Sequence, residues 1–163
     1  FKNKNFIYNK ILSINQTLKD DLNIPNPSIA IAGINPHAGE NGVISNYEIK
    51  YLSPVIKKLQ NKKINICGPL SADTLFSKSN RKKYNCFVCT FHDQALIPFK
   101  IINNFCGVNY TGSLDIIRTS PDHGTAYNLI NNKNAKTDSL FASFKLAEKI
   151  YKNRLNWLFQ KNH

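Results

Sequence analysis

Two histidines, His37 and His92, each sit in a polar segment just after a short apolar run. Neutral imidazole is a common ligand for zinc and related divalent ions. The first segment is Ile34-Asn35-Pro36-His37-Ala38-Gly39-Glu40-Asn41-Gly42. Its glycines and proline set a tight backbone path, while His37 and Glu40 offer a metal ligand and a carboxylate. Taken by itself it fits an ordinary surface loop with a solvated His equally well. In the second, Gly68-Pro69-Leu70-Ser71-Ala72-Asp73-Thr74-Leu75-Phe76, Ser71 or Asp73 is suited to cap a short helix, and a helix N-terminus also receives anions.

The third segment, Phe91-His92-Asp93-Gln94-Ala95-Leu96-Ile97-Pro98-Phe99-Lys100, places an imidazole, a carboxylate and an amide at the end of an apolar run. Those groups cost desolvation unless they have partners, which favours a functional role over a core strand. Lys100 is expected to return to the same cleft. A fourth segment runs from Val108-Asn109-Tyr110-Thr111-Gly112 through Arg118-Thr119-Ser120-Pro121-Asp122-His123-Gly124-Thr125-Ala126. Arg118, between apolar Ile117 and a polar turn, is suited to bidentate recognition of phosphate or carboxylate. His123 reads as a loop anchor through backbone hydrogen bonds rather than as a cofactor contact.

Positioning these segments requires regular elements. A helical stripe of Phe6, Ile7, Ile11, Leu12, Ile14 and Leu18 predicts a helix over about 5–20. Ser28–Gly33 predicts a strand covered on both faces, Ile64–Cys67 a second strand ended by Gly68-Pro69, and Tyr84–Phe91 a third. Gly107–Tyr110 and a short run from Ile116 predict two more. Between them, Ser45-Asn46-Tyr47-Glu48 has capping-box spacing before a helix interrupted or bounded at Pro54. A long C-terminal helix from Thr137-Asp138 carries Leu140, Phe141, Phe144, Ala147, Ile150, Tyr151, Leu155 and Leu158 on one side. Alternating strands and helices predict an α/β fold with a largely parallel sheet, and the chain reads as one domain over 1–163.

Composition narrows the functional classes. With 163 residues and 42% hydrophobic content the chain supports a packed core, burying about 70% of its unfolded surface. No apolar run approaches the ~20 residues that cross a bilayer, and no secretory signal is visible, so a cytoplasmic location without membrane association is expected. The net charge of +12 attracts phosphate nonspecifically, yet the Lys are scattered and the only Arg are Arg81, Arg118 and Arg154. Without an Arg-rich helix or an aromatic–basic platform, nucleic acid is not the expected partner. The four Cys (67, 86, 89 and 106) read as reduced, buried thiols. Cys86 and Cys89 have CxxC spacing, but residues three apart in a strand face opposite ways and cannot share a metal. The absence of Met leads us to expect a piece of a longer protein.

Together, Asn35–Gly42, Gly68–Phe76, His92–Lys100 and Gly107–Ala126 resemble, in order and spacing, the 4-hydroxythreonine-4-phosphate dehydrogenase family of pyridoxal phosphate biosynthesis and its phosphothreonate dehydrogenase relatives. The resemblance covers nearly all of the chain but about the C-terminal half of the family's length. Ser71 stands where the family often has Pro, and Ala95 where it often has Gly. The resemblance implies an isocitrate/isopropylmalate-dehydrogenase-like α/β fold and a homodimer with active sites at the subunit interface. It also implies NAD- or NADP-linked oxidation and decarboxylation of a small phosphorylated hydroxy-amino acid, assisted by Zn²⁺, Mg²⁺ or Co²⁺. It assigns His37 and His92 as metal ligands and Lys100, Asn109 and Arg118 as substrate-binding residues. Asp93 is implied as a catalytic group, with Gly124 and Thr125 of the Asp122–Ala126 loop as cofactor contacts. A third metal-binding His and a substrate-binding His-Thr pair belong to the half upstream of Phe1, and His163 is no substitute. The alternatives are an inactive truncated remnant and a phosphate- or metal-binding module related to phosphotransacylases.

Overall fold

The computed structural model describes residues 3–104, 106–124 and 136–161. They form two compact units, one comprising residues 3–19 and 24–98, the other residues 20–23 and the described residues from 99 onward.

In the first unit, helix α1 (Lys4–Asp20) opens with the Asn3 side chain accepting a hydrogen bond from the Phe6 amide at 3.0 Å. This satisfies one of the donors that every helix start leaves free. Ile7, Ile11, Asn15 and Leu18 recur at helical spacing and form its buried face. Strand β1 (Ile29–Ala32) lies at the centre of a parallel sheet in the order β2-β1-β3, with β2 at Ile66–Leu70 and β3 at Cys86–Val88. Every residue of β1 is buried, as its small apolar composition predicts for a strand covered on both faces. Ala30 and Ala32 pack with Leu75 and Tyr84, and the small side chains admit Phe76 and Phe87 at a ring separation of 5.0 Å.

Several boundaries differ from the sequence expectation. Strand β2 does not stop at Gly68-Pro69 but runs through it to Leu70, because Gly68 at φ +142° lies against Ile31 where a Cβ would meet the Ile31 carbonyl oxygen at 2.7 Å. Pro54 is a boundary, as expected. A widened turn at Glu48–Leu52 precedes it, and helix α2 (Ser53–Asn61) carries the proline in its first turn, where its missing N–H costs nothing. Two short helices follow β2: α3 (Ala72–Leu75) and α4 (Lys78–Lys83), the latter capped by the Ser77 hydroxyl accepting from the Asn80 amide. The segment after β3 is not a loop. Residues 92–103 form helix α5 (His92–Asn103), which includes Pro98.

In the second unit, β4 (Val108–Thr111) pairs antiparallel with β5 (Arg118–Pro121). The long helix α6 (Asp138–Lys161) packs against this hairpin. The expected apolar stripe of α6 is covered only in part: Ile150 is fully buried, but Phe141 and Phe144 are 62% and 67% exposed, and Ser139 and Ser143 are buried in the first turns instead. The helix approaches the hairpin through hydroxyls that satisfy backbone groups. Thr119 Oγ1 donates to the Ser143 carbonyl at 3.1 Å, and the Asp122 amide donates to Ser139 Oγ at 3.0 Å.

Candidate functional site

The turn that carries His37 is built by its neighbours rather than by its own preferences. His37, Ala38, Gly39, Glu40 and Asn41 all have positive φ, between 45° and 80°. Each non-glycine residue in that region costs of order 1–2 kcal/mol, so the turn persists only where surrounding contacts fix it. Glu48 supplies the main ones. Its carboxylate, 2% exposed, accepts hydrogen bonds from the amides of Ile34 (2.9 Å) and Asn35 (2.8 Å) and from Asn35 Nδ2. Burial pushes its pKa up, but the hydrogen bonds from the Asn35 and Glu48 amides, the Asn35 side chain and the Ile34 amide outweigh this and hold it below the ordinary value. The capping-box expectation is therefore corrected. Ser45 Oγ does accept from the Tyr47 amide, at 3.1 Å, but Glu48 reaches across to the β1 loop instead of back to its own helix start.

Two glycines make the close approaches possible. A Cβ on Gly33 would stand 2.7 Å from Ala38 Cα, and one on Gly39 would stand 2.5 Å from the Ser45 carbonyl oxygen and 2.6 Å from Glu48 Oε2. Gly39→Ala is expected to destabilise the chain by about 2 kcal/mol, since it adds left-handed strain to a backbone clash. Urea unfolding checks this; a loss of under half that amount would show that the turn relaxes freely.

His37 stands exposed at this turn and lines a cleft of about 310 Å³ together with Asn35, Ser71, Asp73 and Gln94. Ser71 occupies the cap position of α3 without capping it; its hydroxyl donates to Asp73 Oδ1 at 2.5 Å. The Ser71 hydrogen bond is the main cause holding the Asp73 carboxyl below its usual value, with the His37 imidazole a smaller contributor. A second cleft of about 420 Å³ shares His37 and Ser71 and extends past Glu40 and Glu48 to Ser53.

His92 begins α5, and the residue that locates this helix start is Gln94, the amide of the polar run that was expected to need partners. Its Oε1 accepts from the Thr90 and Phe91 amides, both at 3.3 Å, and its Nε2 donates to the Gly33 carbonyl at 2.9 Å. The first turn of α5 is thereby tied to the end of β1, where the His37 loop departs. The desolvation expected for His92 and Asp93 is not incurred: their side chains are 79% and 78% exposed, and His92 Nδ1 lies 2.7 Å from Asp93 Oδ1. Cys86 and Cys89 do not take part. Burial pushes both thiols up to about 11, with Cys89 adding to the shift at Cys86, as suits side chains that serve packing.

In the second unit the hairpin register sets Asn109 opposite Ser120 and Thr111 opposite Arg118, so Asn109 and Arg118 share one face. The alternate residues Tyr110 and Thr119 take the other, where Thr119 meets α6. Asn109 and Arg118 are both exposed, and Arg118 Nη1 donates to Thr111 Oγ1 at 2.9 Å. Lys100 Nζ lies 3.5 Å from Asp122 Oδ2. His123 Nδ1 is 3.1 Å from the Gly124 carbonyl oxygen, the local anchoring expected of it. Gly124 is exposed, and Thr125 lies outside the described residues.

Among the described residues no three His, Cys, Asp or Glu side chains gather as a metal-holding group. His37 and His92 thus offer two nitrogen donors of the right chemistry but not a full set. No helix among these residues is long and apolar enough to cross a membrane.

The cleft, lined by an imidazole, a hydroxyl, a carboxylate and side-chain amides, lies at the carboxyl end of a parallel sheet, where α/β proteins commonly place their ligand sites. The family model described as pyridoxal phosphate biosynthetic protein PdxA matches residues 3–147, and the chain belongs to that family. It is 48% identical over 139 residues to the 4-hydroxythreonine-4-phosphate dehydrogenase of Zymomonas mobilis, covering 85% of this chain and 42% of that protein. It is 42% identical over 124 residues to the D-threonate 4-phosphate dehydrogenase of Pectobacterium atrosepticum, covering 76% and 38%. The crystal structure of 4-hydroxythreonine-4-phosphate dehydrogenase from Klebsiella pneumoniae superposes with a TM-score of 0.77 at 38% identity, covering 91% of this chain and 44% of that one. The chain spans about two fifths of the length of these relatives.

Proposed function

We propose that the chain is the C-terminal portion of a NAD- or NADP-linked dehydrogenase that oxidises 4-phosphooxy-threonine in pyridoxal 5'-phosphate biosynthesis. A bound nicotinamide would supply the hydride acceptor for oxidation of the substrate hydroxyl, whose proton would pass to solvent or a base, and the β-keto acid so formed would lose CO₂. The nicotinamide carries the redox step; the protein binds, orients and shields. Family membership supports this reading, together with the named activities of the relatives.

His37 and His92 are the residues that would hold a divalent cation such as Zn²⁺, Mg²⁺ or Co²⁺, with the remaining ligands supplied by residues other than those described. The fit rests on donor chemistry: Asp93 Oδ1 at 2.7 Å from His92 Nδ1 favours the neutral tautomer protonated there, which would leave Nε2 as the lone-pair donor, the usual carboxylate–histidine arrangement behind a metal ligand. A cation so held supplies Lewis acidity toward the substrate hydroxyl and the neighbouring carbonyl. Asp93 thus acts by fixing a tautomer. Gly124 and Thr125 are assigned to cofactor contact, and the working enzyme to a cytoplasmic homodimer with the active site at its subunit interface.

The observation that carries the substrate assignment is the open face of the hairpin. Asn109 and Arg118 stand exposed on it, and Thr111 fixes one guanidinium nitrogen while no carboxylate pairs with Arg118 among the described residues. That arrangement suits a phosphate or carboxylate, with Lys100 as a second cation. In the complete enzyme, Arg118→Ala is expected to raise KM for 4-phosphooxy-threonine about tenfold to a hundredfold, the worth of a charge-assisted pair, and to leave NAD affinity within twofold. An equal loss of NAD affinity would move Arg118 to the cofactor. The match to D-threonate 4-phosphate dehydrogenase favours a second reading, in which the substrate is the corresponding phosphorylated hydroxy acid without the amine.

A further inference from the structure

Lys100 is exposed on the long, flexible stem that makes a lysine ammonium a poorly aimed anchor, yet the second unit builds a fixed acceptor beside it. Asp122 Oδ2 lies 3.5 Å from Lys100 Nζ. The Asp122 main chain is itself clamped: its amide donates to Ser139 Oγ at 3.0 Å and points to the Gly107 carbonyl oxygen at 3.3 Å. Ser139 is 5% exposed and its hydroxyl donates to that same Gly107 carbonyl, so one buried side chain joins the first turn of α6, the start of β4 and the residue after β5. The carboxylate also needs the space that Gly107 leaves. A Cβ there would stand 3.1 Å from Asp122 Oδ2 and 2.6 Å from the Phe99 ring.

We propose that Asp122, anchored by Ser139 over Gly107, is a positioning residue that aims the Lys100 ammonium at an incoming phosphate. The inference rests on the assignment of Lys100 to substrate binding. A carboxylate at this distance attracts the ammonium as an ion pair and restricts the stem, leaving the ammonium donors able to face outward. The entropy of ordering Lys100 is then lost on folding rather than on binding. Asp122 works against a phosphate through like charge but in its favour through preorganisation, and the geometry assigns the larger effect to preorganisation because its main chain is doubly held.

The experiment titrates the full chain with O-phosphothreonine, and separately with inorganic phosphate, and follows Lys100 Cε relaxation by NMR. Asp122→Asn is expected to weaken O-phosphothreonine binding about fivefold, the upper range for a partly exposed ion pair, and to increase Lys100 side-chain mobility without lowering the thermal midpoint appreciably. Asp122→Glu, which keeps the charge, is expected to recover part of the loss. Ser139→Ala, which leaves the carboxylate but removes its anchor, is expected to weaken binding about twofold and provides the second arm if the Asn variant fails to fold. Unchanged or tighter binding in the Asp122→Asn chain, or in Ser139→Ala where that is the folded variant, overturns the proposal. If Lys100→Ala also binds both probes as tightly as the parent, the substrate role of Lys100 fails instead, and the two failures are told apart.

Discussion

Replacing Arg154 by Ala will cost the chain about 3 kcal/mol of stability. Arg154 Nε lies 2.6 Å from Asp21 Oδ1 and its Nη2 3.2 Å from Oδ2, a bidentate pair in which the Asp21 side chain is only 5% exposed. Nη1 spans the carbonyls of Leu114 and Asp115, both at 3.0 Å, the Tyr110 hydroxyl donates to Asp21, and Asn153 Nδ2 donates to the Asp21 carbonyl at 2.7 Å. Removing the guanidinium leaves a buried carboxylate with a phenol as its remaining side-chain partner, and breaking such a pair one-sidedly costs far more than the pair contributes. Burial raises the pKa of Asp21, but the hydrogen bonds from Arg154 and Tyr110 and the Arg154 charge outweigh it, so the carboxyl sits below its ordinary value. The same burial, with Asp21 beside it, pushes the Tyr110 phenol up to about 12. A depressed carboxyl gives stability that is present above its unfolded value, near 4, and is lost as pH falls through the lower folded value. Urea unfolding of Arg154→Ala should therefore show both the loss at neutral pH and a weaker decline in stability on acidification. A loss below about 1 kcal/mol would mean that the network is solvated and contributes little.

Glu48→Ala is the second large effect, expected at about 3 kcal/mol. It strips two partly buried amides, those of Ile34 and Asn35, of a charged acceptor at 2.8–2.9 Å, and each orphaned donor costs roughly 1–3 kcal/mol. The energetic loss has a geometric companion, because Glu48 is the outer brace of a turn with five consecutive left-handed residues. Amide exchange at residues 34–41 should accelerate by more than exchange in β1, which keeps its ladder. Glu48→Gln separates charge from shape: it retains one acceptor, costs about half as much, and abolishes the contribution that the parent loses as pH falls through the depressed Glu48 value. Equal protection of the turn in parent and Glu48→Ala would show that the backbone, not the carboxylate, shapes the loop.

The contrast between these two carboxylates and the histidines explains what could be read in advance. The apolar run Ile29–Ala32 announced a fully covered strand because burial on both faces leaves no other composition, and it is the centre of the sheet. His37 and His92 were legible as residues of interest because polar groups after apolar runs are costly anywhere but at a strand's carboxyl end. Their setting was less so. A helix beginning at His92 has the same apolar density as a strand, and short apolar runs do not distinguish period 2 from period 3.6. Glu48 fitted a local capping pattern so well that its long-range role toward Asn35 left no trace in the spacing. Gln94 likewise gives no periodic signal, since its function is one amide spanning to Gly33. The α6 stripe was right at Ile150 and wrong in the first turns: helical periodicity reports an apolar face, not which part of it this chain covers, and there Ser139 and Ser143 are the buried residues. Asp21 and Arg154, 133 positions apart, could be joined only by the fold.

His37 and His92 are proposed to hold one divalent ion. Titrating the chain with Co²⁺ while recording imidazole ring resonances tests it most directly, because a paramagnetic ion shifts or broadens only the rings near it. The prediction is that the His37 and His92 ring signals respond together, in the same saturable step, while His123 does not. In His92→Ala the His37 response should weaken at least tenfold in Co²⁺ affinity, since a lone imidazole holds the ion poorly. If His37 and His92 respond at separate Co²⁺ concentrations, or if His37 binds unchanged in His92→Ala, the two histidines do not share a metal.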